Sequence, residues 1–182
     1  MRKEQRGFTV LEMLITLVVI SIIAGLGVPS YISMLAKRRI EGAASALQTQ
    51  FQQLRSQAIK RNSIEFLSFA INGSNWSYGV NDNAACNPAL AGNCTVNGVS
   101  QIFNGSDWKG VTIALSQSIS SNGNSVGFEP RRGMTISPGG AISSGTITLQ
   151  SAAGSVQVNV SPIGYISICS PAGSGITRYS SC

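Results

Sequence analysis

Two small groups of residues in this chain have the types and spacing to do chemistry. The first is Gly7, Phe8 and Glu12, within Arg6-Gly7-Phe8-Thr9-Val10-Leu11-Glu12. A cut after Gly7 would leave Phe8 with a free amine, four residues ahead of the one charge in the apolar run Phe8 to Pro29. A carboxylate within a bilayer costs about 2.5–3.5 kcal/mol on insertion scales and is tolerated when paired, so the amine gives Glu12 a use. The second group is Cys86, Cys94, Cys169 and Cys182, all downstream of that run. Their number is even, their spacing fits no metal site and the chain has no His, which points to disulfides in an oxidising compartment. Four cysteines allow three pairings; Cys86 with Cys94 and Cys169 with Cys182 is favoured because each closes one short loop, with free buried thiols as the alternative.

Other chemistry lacks its parts. Without His, a serine or cysteine nucleophile has no imidazole base, and the carboxylates beyond the apolar run, Glu41, Glu65, Asp82, Asp107 and Glu129, show no paired spacing. There is no phosphate-binding glycine motif and no Cys/His metal set. The expectation is a protein that is not an enzyme, with no cofactor, no metal and no small-molecule substrate.

These residues need elements to position them. At 1.5 Å per residue, Phe8 to Pro29 makes about 33 Å of helix, enough to cross a hydrocarbon core of roughly 30 Å. The run is too long for the core of a cleaved secretory signal, and its small residue, Gly7, comes before it rather than after. A plain uncleaved anchor accounts for length and for the basic leader MRKEQRG but not for Glu12. Arg2, Lys3 and Arg6 on one side nearly balance Lys37, Arg38 and Arg39 on the other, so orientation rests on the cysteines, which place the rest of the chain outside the cytoplasm.

The segment Gly7 to Glu12, followed by an unbroken apolar helix, resembles the class III leader of type IV prepilins and type II secretion pseudopilins. That resemblance implies a membrane peptidase that cuts between Gly7 and Phe8 and N-methylates Phe8. It also implies that Glu12 pairs with the terminal amine of a neighbouring subunit as helices pack into a filament. Removal of Arg2, Lys3, Glu4 and Arg6 would lower the net charge from +6 to +4.

Beyond Pro29, Tyr31, Leu35, Leu47, Phe51, Leu54 and Ala58 recur near 3.5-residue spacing with glutamines between them, so one helix is expected from about Phe8 to about Arg61, amphipathic in its second half. Gly25, Gly27 and Pro29 are candidates for a bend or for local melting. With charged residues at only 11% and Gly, Ser and Asn abundant, the remainder reads as turn-rich β structure. Strands are expected at Ile64–Ile71 and Trp76–Val80 around the turn Asn72-Gly73-Ser74-Asn75. Others are expected at Gln101–Phe103, Val111–Leu115, Val126–Phe128, Met134–Ile136, Thr146–Leu149, Val156–Val160 and Ile163–Ile168. Asn81 to Ser100 and Gly173 to Cys182 read as loops.

Within this part, Leu54-Arg55-Ser56-Gln57-Ala58-Ile59-Lys60-Arg61-Asn62, then Trp76-Ser77-Tyr78-Gly79-Val80, resembles the H-type branch of minor pilins and pseudopilins, the GspH/FimT/FimU group. Phe128-Glu129-Pro130-Arg131-Arg132-Gly133 is similar to that branch's Phe-x-Pro-x-Gly turn with one extra residue. The implied fold is α+β, the type IV pilin fold: a long N-terminal spine helix, membrane-embedded in its first half, against a β-sandwich-like head. The expected organisation is a leader at 1–7, a membrane and filament-core half-helix at 8–29, an amphipathic half at 30–62 and a β-rich head at 63–182.

The implied function is that of a minor pilin near the tip of a type IV pilus, helping to start assembly, in twitching motility, adhesion or DNA uptake. Its partners would be the prepilin peptidase, other minor pilins, the major pilin and the inner-membrane assembly platform. It would reside in the inner membrane with its head in the periplasm, then in the pilus. One alternative is an H-type minor pseudopilin of a type II secretion system, although such pseudopilins usually lack disulfide cysteines. The other is a minor pilin that binds DNA for natural transformation. Some relatives use a C-terminal Gly-Arg-x-Arg pattern, and here Gly175-Ile176-Thr177-Arg178 lacks the first arginine. Arg131, Arg132 and Arg178 would then have to form one phosphate-attracting patch, against the plainer reading of a solvated rim.

Overall fold

The computed structural model describes residues 7–182; the leader residues before Gly7 lie outside it. The chain divides into two compact units, one ending at Leu35 and the other Ala36–Cys182. The boundary falls inside the first helix, α1 (Val10–Arg61). The amphipathic half of the helix from Ala36 therefore belongs to the same unit as the strands.

In the first unit, α1 opens on a capping device. The backbone N–H of Glu12 donates to Thr9 Oγ1 at 3.2 Å, half of the Thr-x-x-Glu box, and Glu12 lies in the first turn, where the helix dipole favours an acid. Every described side chain from Phe8 to Ala24 is exposed in the isolated chain.

In the second unit the helix buries one stripe: Ile40, Ala43, Ala44, Leu47, Phe51, Leu54 and Ala58. The stripe differs from the expected one at its start, since Tyr31 is exposed and Leu35 only partly covered, while Ile40 and two alanines take over. The small Ala43 and Ala44 carry little hydropathic signal, yet they continue the three- and four-residue steps that place a side chain on one face.

Eleven strands follow: β1 (Glu65–Asn72), β2 (Asn75–Asp82), β3 (Thr95–Val96), β4 (Val99–Ser100), β5 (Ile102–Asn104), β6 (Thr112–Leu115), β7 (Ser125–Phe128), β8 (Thr135–Ile136), β9 (Gly145–Ser151), β10 (Gly154–Val160) and β11 (Ile166–Cys169). A short 3-10 turn spans Gly105–Asp107, and a one-turn helix, α2, spans Gln117–Ser120. Two antiparallel sheets result, ordered β5-β2-β1-β7-β8 and β11-β10-β9-β6, with β3-β4 as a separate ribbon. Alternation along the strands sends Leu67, Phe69, Tyr78, Val80, Val126 and Phe128 from the first sheet into one core with the helix stripe. Ile113, Ile147, Leu149, Val156, Val158 and Val160 enter the same core from the second sheet.

The expected strand at Ile163–Ile168 is shorter at its start. Ser161 N–H donates to Tyr165 O and Gly164 N–H to Ser161 O, which closes a turn over that stretch and leaves Ile166–Cys169 to pair with β10. The polar loop at 81–100 contains the β3-β4 ribbon, whose two-residue strands are too short to show alternation.

Candidate functional site

The Gly7–Phe8 bond lies ahead of the first residue of α1, outside helical structure, with Phe8 78% exposed. A peptidase needs backbone that is not already hydrogen-bonded in a helix, and this bond meets that need. Glu12 follows in the first helical turn, so the carboxylate stands within one turn of the amine that cleavage would free.

Both short-loop cysteine pairs are bonded: Cys86–Cys94 with S–S 2.05 Å and Cys169–Cys182 with S–S 2.04 Å. The first fastens the 83–100 loop across the outer face of the five-stranded sheet. Cys86 N–H donates to Ser68 Oγ, which also accepts from Ser125 Oγ, and Cys94 lies directly over Gly79, where any side chain on β2 would collide with its sulfur. The second closes the C-terminal segment into a strap on α1. Arg178 Nη1 donates to Glu41 Oε2 at 3.1 Å, the Tyr179 hydroxyl donates to Glu41 O, and Ile176 is buried. Burial raises the Tyr179 phenol pKa, with Arg178 opposing and Glu41 adding to the rise.

The three arginines expected to form one patch are not gathered. Arg178 sits beside Glu41, while Arg131 and Arg132 lie on the turn whose Gly133 carbonyl accepts from Arg55 Nε at 3.1 Å. Along α1, positions 41 and 55 are separated by about 21 Å. Arg132 is also ion-paired with Glu129 at 3.3 Å, and Arg178 with Glu41, so two of the three cations are already partnered.

Arg55 and Glu65 take roles that their local sequence does not signal. Arg55, quoted above only as part of a motif, ties the Glu129–Gly133 turn and the Ile163 carbonyl to the helix through Nε and Nη2. Glu65 is completely buried, 3.4 Å from both Arg61 Nη1 and Ser63 Oγ, and its Oε2 has no partner. Burial raises its pKa above the ordinary carboxylate value; Arg61 opposes this and Asp82, directly across on β2, adds to it. The Arg61–Glu65 spacing was visible, but it straddles the end of the helix, where an i,i+4 rule loses its force.

Among the described residues no three His, Cys, Asp or Glu side chains gather as a metal site. Burial, with a contribution from Asp107, pushes the Tyr78 phenol up to about 12, and Tyr78 stacks between Trp76 and Phe103 with centroids at 6.3 and 5.0 Å. That geometry is sheet packing.

Residues 43–164 match the family described as type II transport protein GspH, and residues 2–28 match the prokaryotic N-terminal methylation motif. No curated protein matches the chain. Among solved structures, the type IV minor pilin FimU of Pseudomonas aeruginosa aligns at TM-score 0.53 and 15% identity, over 76% of this chain and 96% of that one. Another crystal form of FimU aligns at 0.49 and 14%, over 74% and 98%. The minor pseudopilin EpsH of the Vibrio cholerae type 2 secretion system aligns at 0.45 and 8%, over 74% and 98%. At these identities the FimU likeness shows the fold: a long N-terminal helix on an antiparallel β head.

Proposed function

Because the chain belongs to the GspH family and is a minor pilin or pseudopilin with a class III leader, we propose that it is a minor subunit of a type IV pilus. It would help start assembly and lie near the filament tip. The observation that carries the filament role is the first half of α1: an apolar helix, exposed in the isolated chain, within a stretch that matches the N-terminal methylation motif and ahead of a separately compact head. A surface of that kind is covered by lipid before assembly and by other spine helices after it. The two disulfides in the head favour the pilus over the secretion system.

In this reading the prepilin peptidase cuts between Gly7 and Phe8 and methylates Phe8. Glu12 sets axial register by pairing with the terminus of a neighbouring subunit. The head resides in the periplasm, then on the filament, beside other minor pilins and the major pilin above the inner-membrane assembly platform. Deletion of the gene should lower surface piliation and twitching while protein secretion continues. Normal piliation with failed secretion would replace this reading with the pseudopilin one.

A further inference from the structure

The second sheet carries no charge. From Val111 to Cys182 the charged residues are Glu129, Arg131, Arg132 and Arg178, and none lies on β6, β9, β10 or β11. Apart from Ala114 and the disulfide-bonded Cys169, its outward residues are hydroxyls and amides. One row crosses the sheet: Ser167 on β11 faces Asn159 on β10, which faces Thr146 on β9, whose N–H donates to Ser116 Oγ. At roughly 4.8 Å between strands the row extends for about 14 Å. It floors a cleft of about 330 Å³, with Ser118 and Ser144 at one end and Tyr165, 63% exposed, at the other.

The row is held in place by its own bonds. Thr146 Oγ1 donates to Asn159 Oδ1 at 2.8 Å, Asn159 Nδ2 donates to Cys169 Sγ at 3.1 Å, and Ser118 Oγ donates to Ser144 O at 2.7 Å. Capacity remains: a second N–H on Asn159, lone pairs on Thr146, and the hydroxyls of Ser144 and Ser167, which have no intramolecular partner among the described residues. Donors and acceptors fixed before a ligand arrives lose little freedom on binding.

The chemistry of the cleft narrows its ligand. An anion or cation would find no counter-charge, and an apolar molecule would leave the hydroxyls and amides unsatisfied. A ligand with neutral hydroxyls on its edge and C–H groups on its face fits both the row and the Tyr165 ring. We propose that this cleft binds a neutral oligosaccharide, one ring lying on Tyr165 and its hydroxyls exchanging hydrogen bonds with Ser144, Thr146, Asn159 and Ser167. Hydroxyls that trade water for protein gain little each, so a single site is weak, in the millimolar range. The proposal does not depend on which filament the subunit joins.

The test is an amide-shift titration of the full chain in lipid nanodiscs with maltotriose, mannotriose and chitotriose, and with a sulfated trisaccharide for comparison. At least one neutral sugar should give saturable shifts at Thr146, Asn159 and Ser167. Tyr165→Ala should weaken binding about two- to tenfold, the worth of an aromatic contact, and Tyr165→Phe should leave it unchanged. Leu90→Ala, on the opposite sheet's loop, serves as a folding and specificity control. The proposal is overturned if no neutral sugar shifts these amides, if the shifts fall elsewhere, or if Tyr165→Ala binds as the parent does. It is equally overturned if the sulfated sugar binds better and is released by salt, which would mark an electrostatic surface instead.

Discussion

A carboxyl with no exposed surface and one unpartnered oxygen makes Glu65 a source of pH dependence. Its folded pKa is raised, so the folded state holds the proton more tightly than the unfolded chain. Stability is therefore gained as pH falls through the folded pKa, is fully present below the unfolded one, and is lost as pH rises back through the folded pKa. Glu65→Gln mimics the protonated form. In thermal melts the variant should melt above the parent at neutral pH, and the gap should close on mild acidification; a gap independent of pH would contradict this. Glu12 is a different kind of acid. Its place in the first turn of α1, where the helix dipole favours an acid, gives it a local role in the lone chain, beside the proposed pairing in a filament. Glu12→Ala should still insert and be cut but should incorporate poorly, which subunit counting in sheared filaments would show. Both the cleavage pattern and the acid could be read in sequence, because each depends on neighbours within a few positions. Glu65 could not, because its burial is set by a strand and a helix end that meet only in the fold.

At the scale of elements, α1 and the strands longer than three residues were legible from period and turn chemistry, whereas α2 and the β3-β4 ribbon were too short to show a period. Close approaches were also hidden. Gly105 lies against the indole of Trp76, itself held by a 2.8 Å bond from Nε1 to Val111 O, so a methyl group there meets a ring with nowhere to go. Gly105→Ala should cost about 1–3 kcal/mol as an overpacking change, measured by urea unfolding. Phe51, fully buried on α1 between Phe69 and Phe128 at 6.4 Å from each, joins the helix to the first sheet. Phe51→Ala should cost about 3–5 kcal/mol, and a loss under 1 would mean that the site collapses around the gap.

For the whole molecule, the sheets, helix and strap share one core in the second unit, and the disulfides close the loop after β2 and the C-terminal segment. Cys182→Ser should lower stability by about 3 kcal/mol on loop-closure grounds and should speed hydrogen exchange around Glu41, where Arg178 and Tyr179 are seated. Unchanged exchange there would show that the strap holds without its bond. The long helix and a strand-rich remainder followed from local pattern, and the sandwich-like head from the family resemblance; the joining of the Arg131–Gly133 turn to Arg55, and of Arg178 to Glu41, followed from neither, because such pairings join positions 78 and 137 residues apart.

The two disulfides link cysteines that are consecutive in the chain, 8 and 13 residues apart. In the proposed topology the head emerges into the periplasm from its membrane-proximal end, so Cys86 and then Cys94 are presented before either later thiol. An oxidant that joins thiols in order of arrival would therefore make the native bonds at the first attempt. Export of this subunit should need an oxidase but no isomerase, and its yield should be the same in cells that lack reshuffling activity.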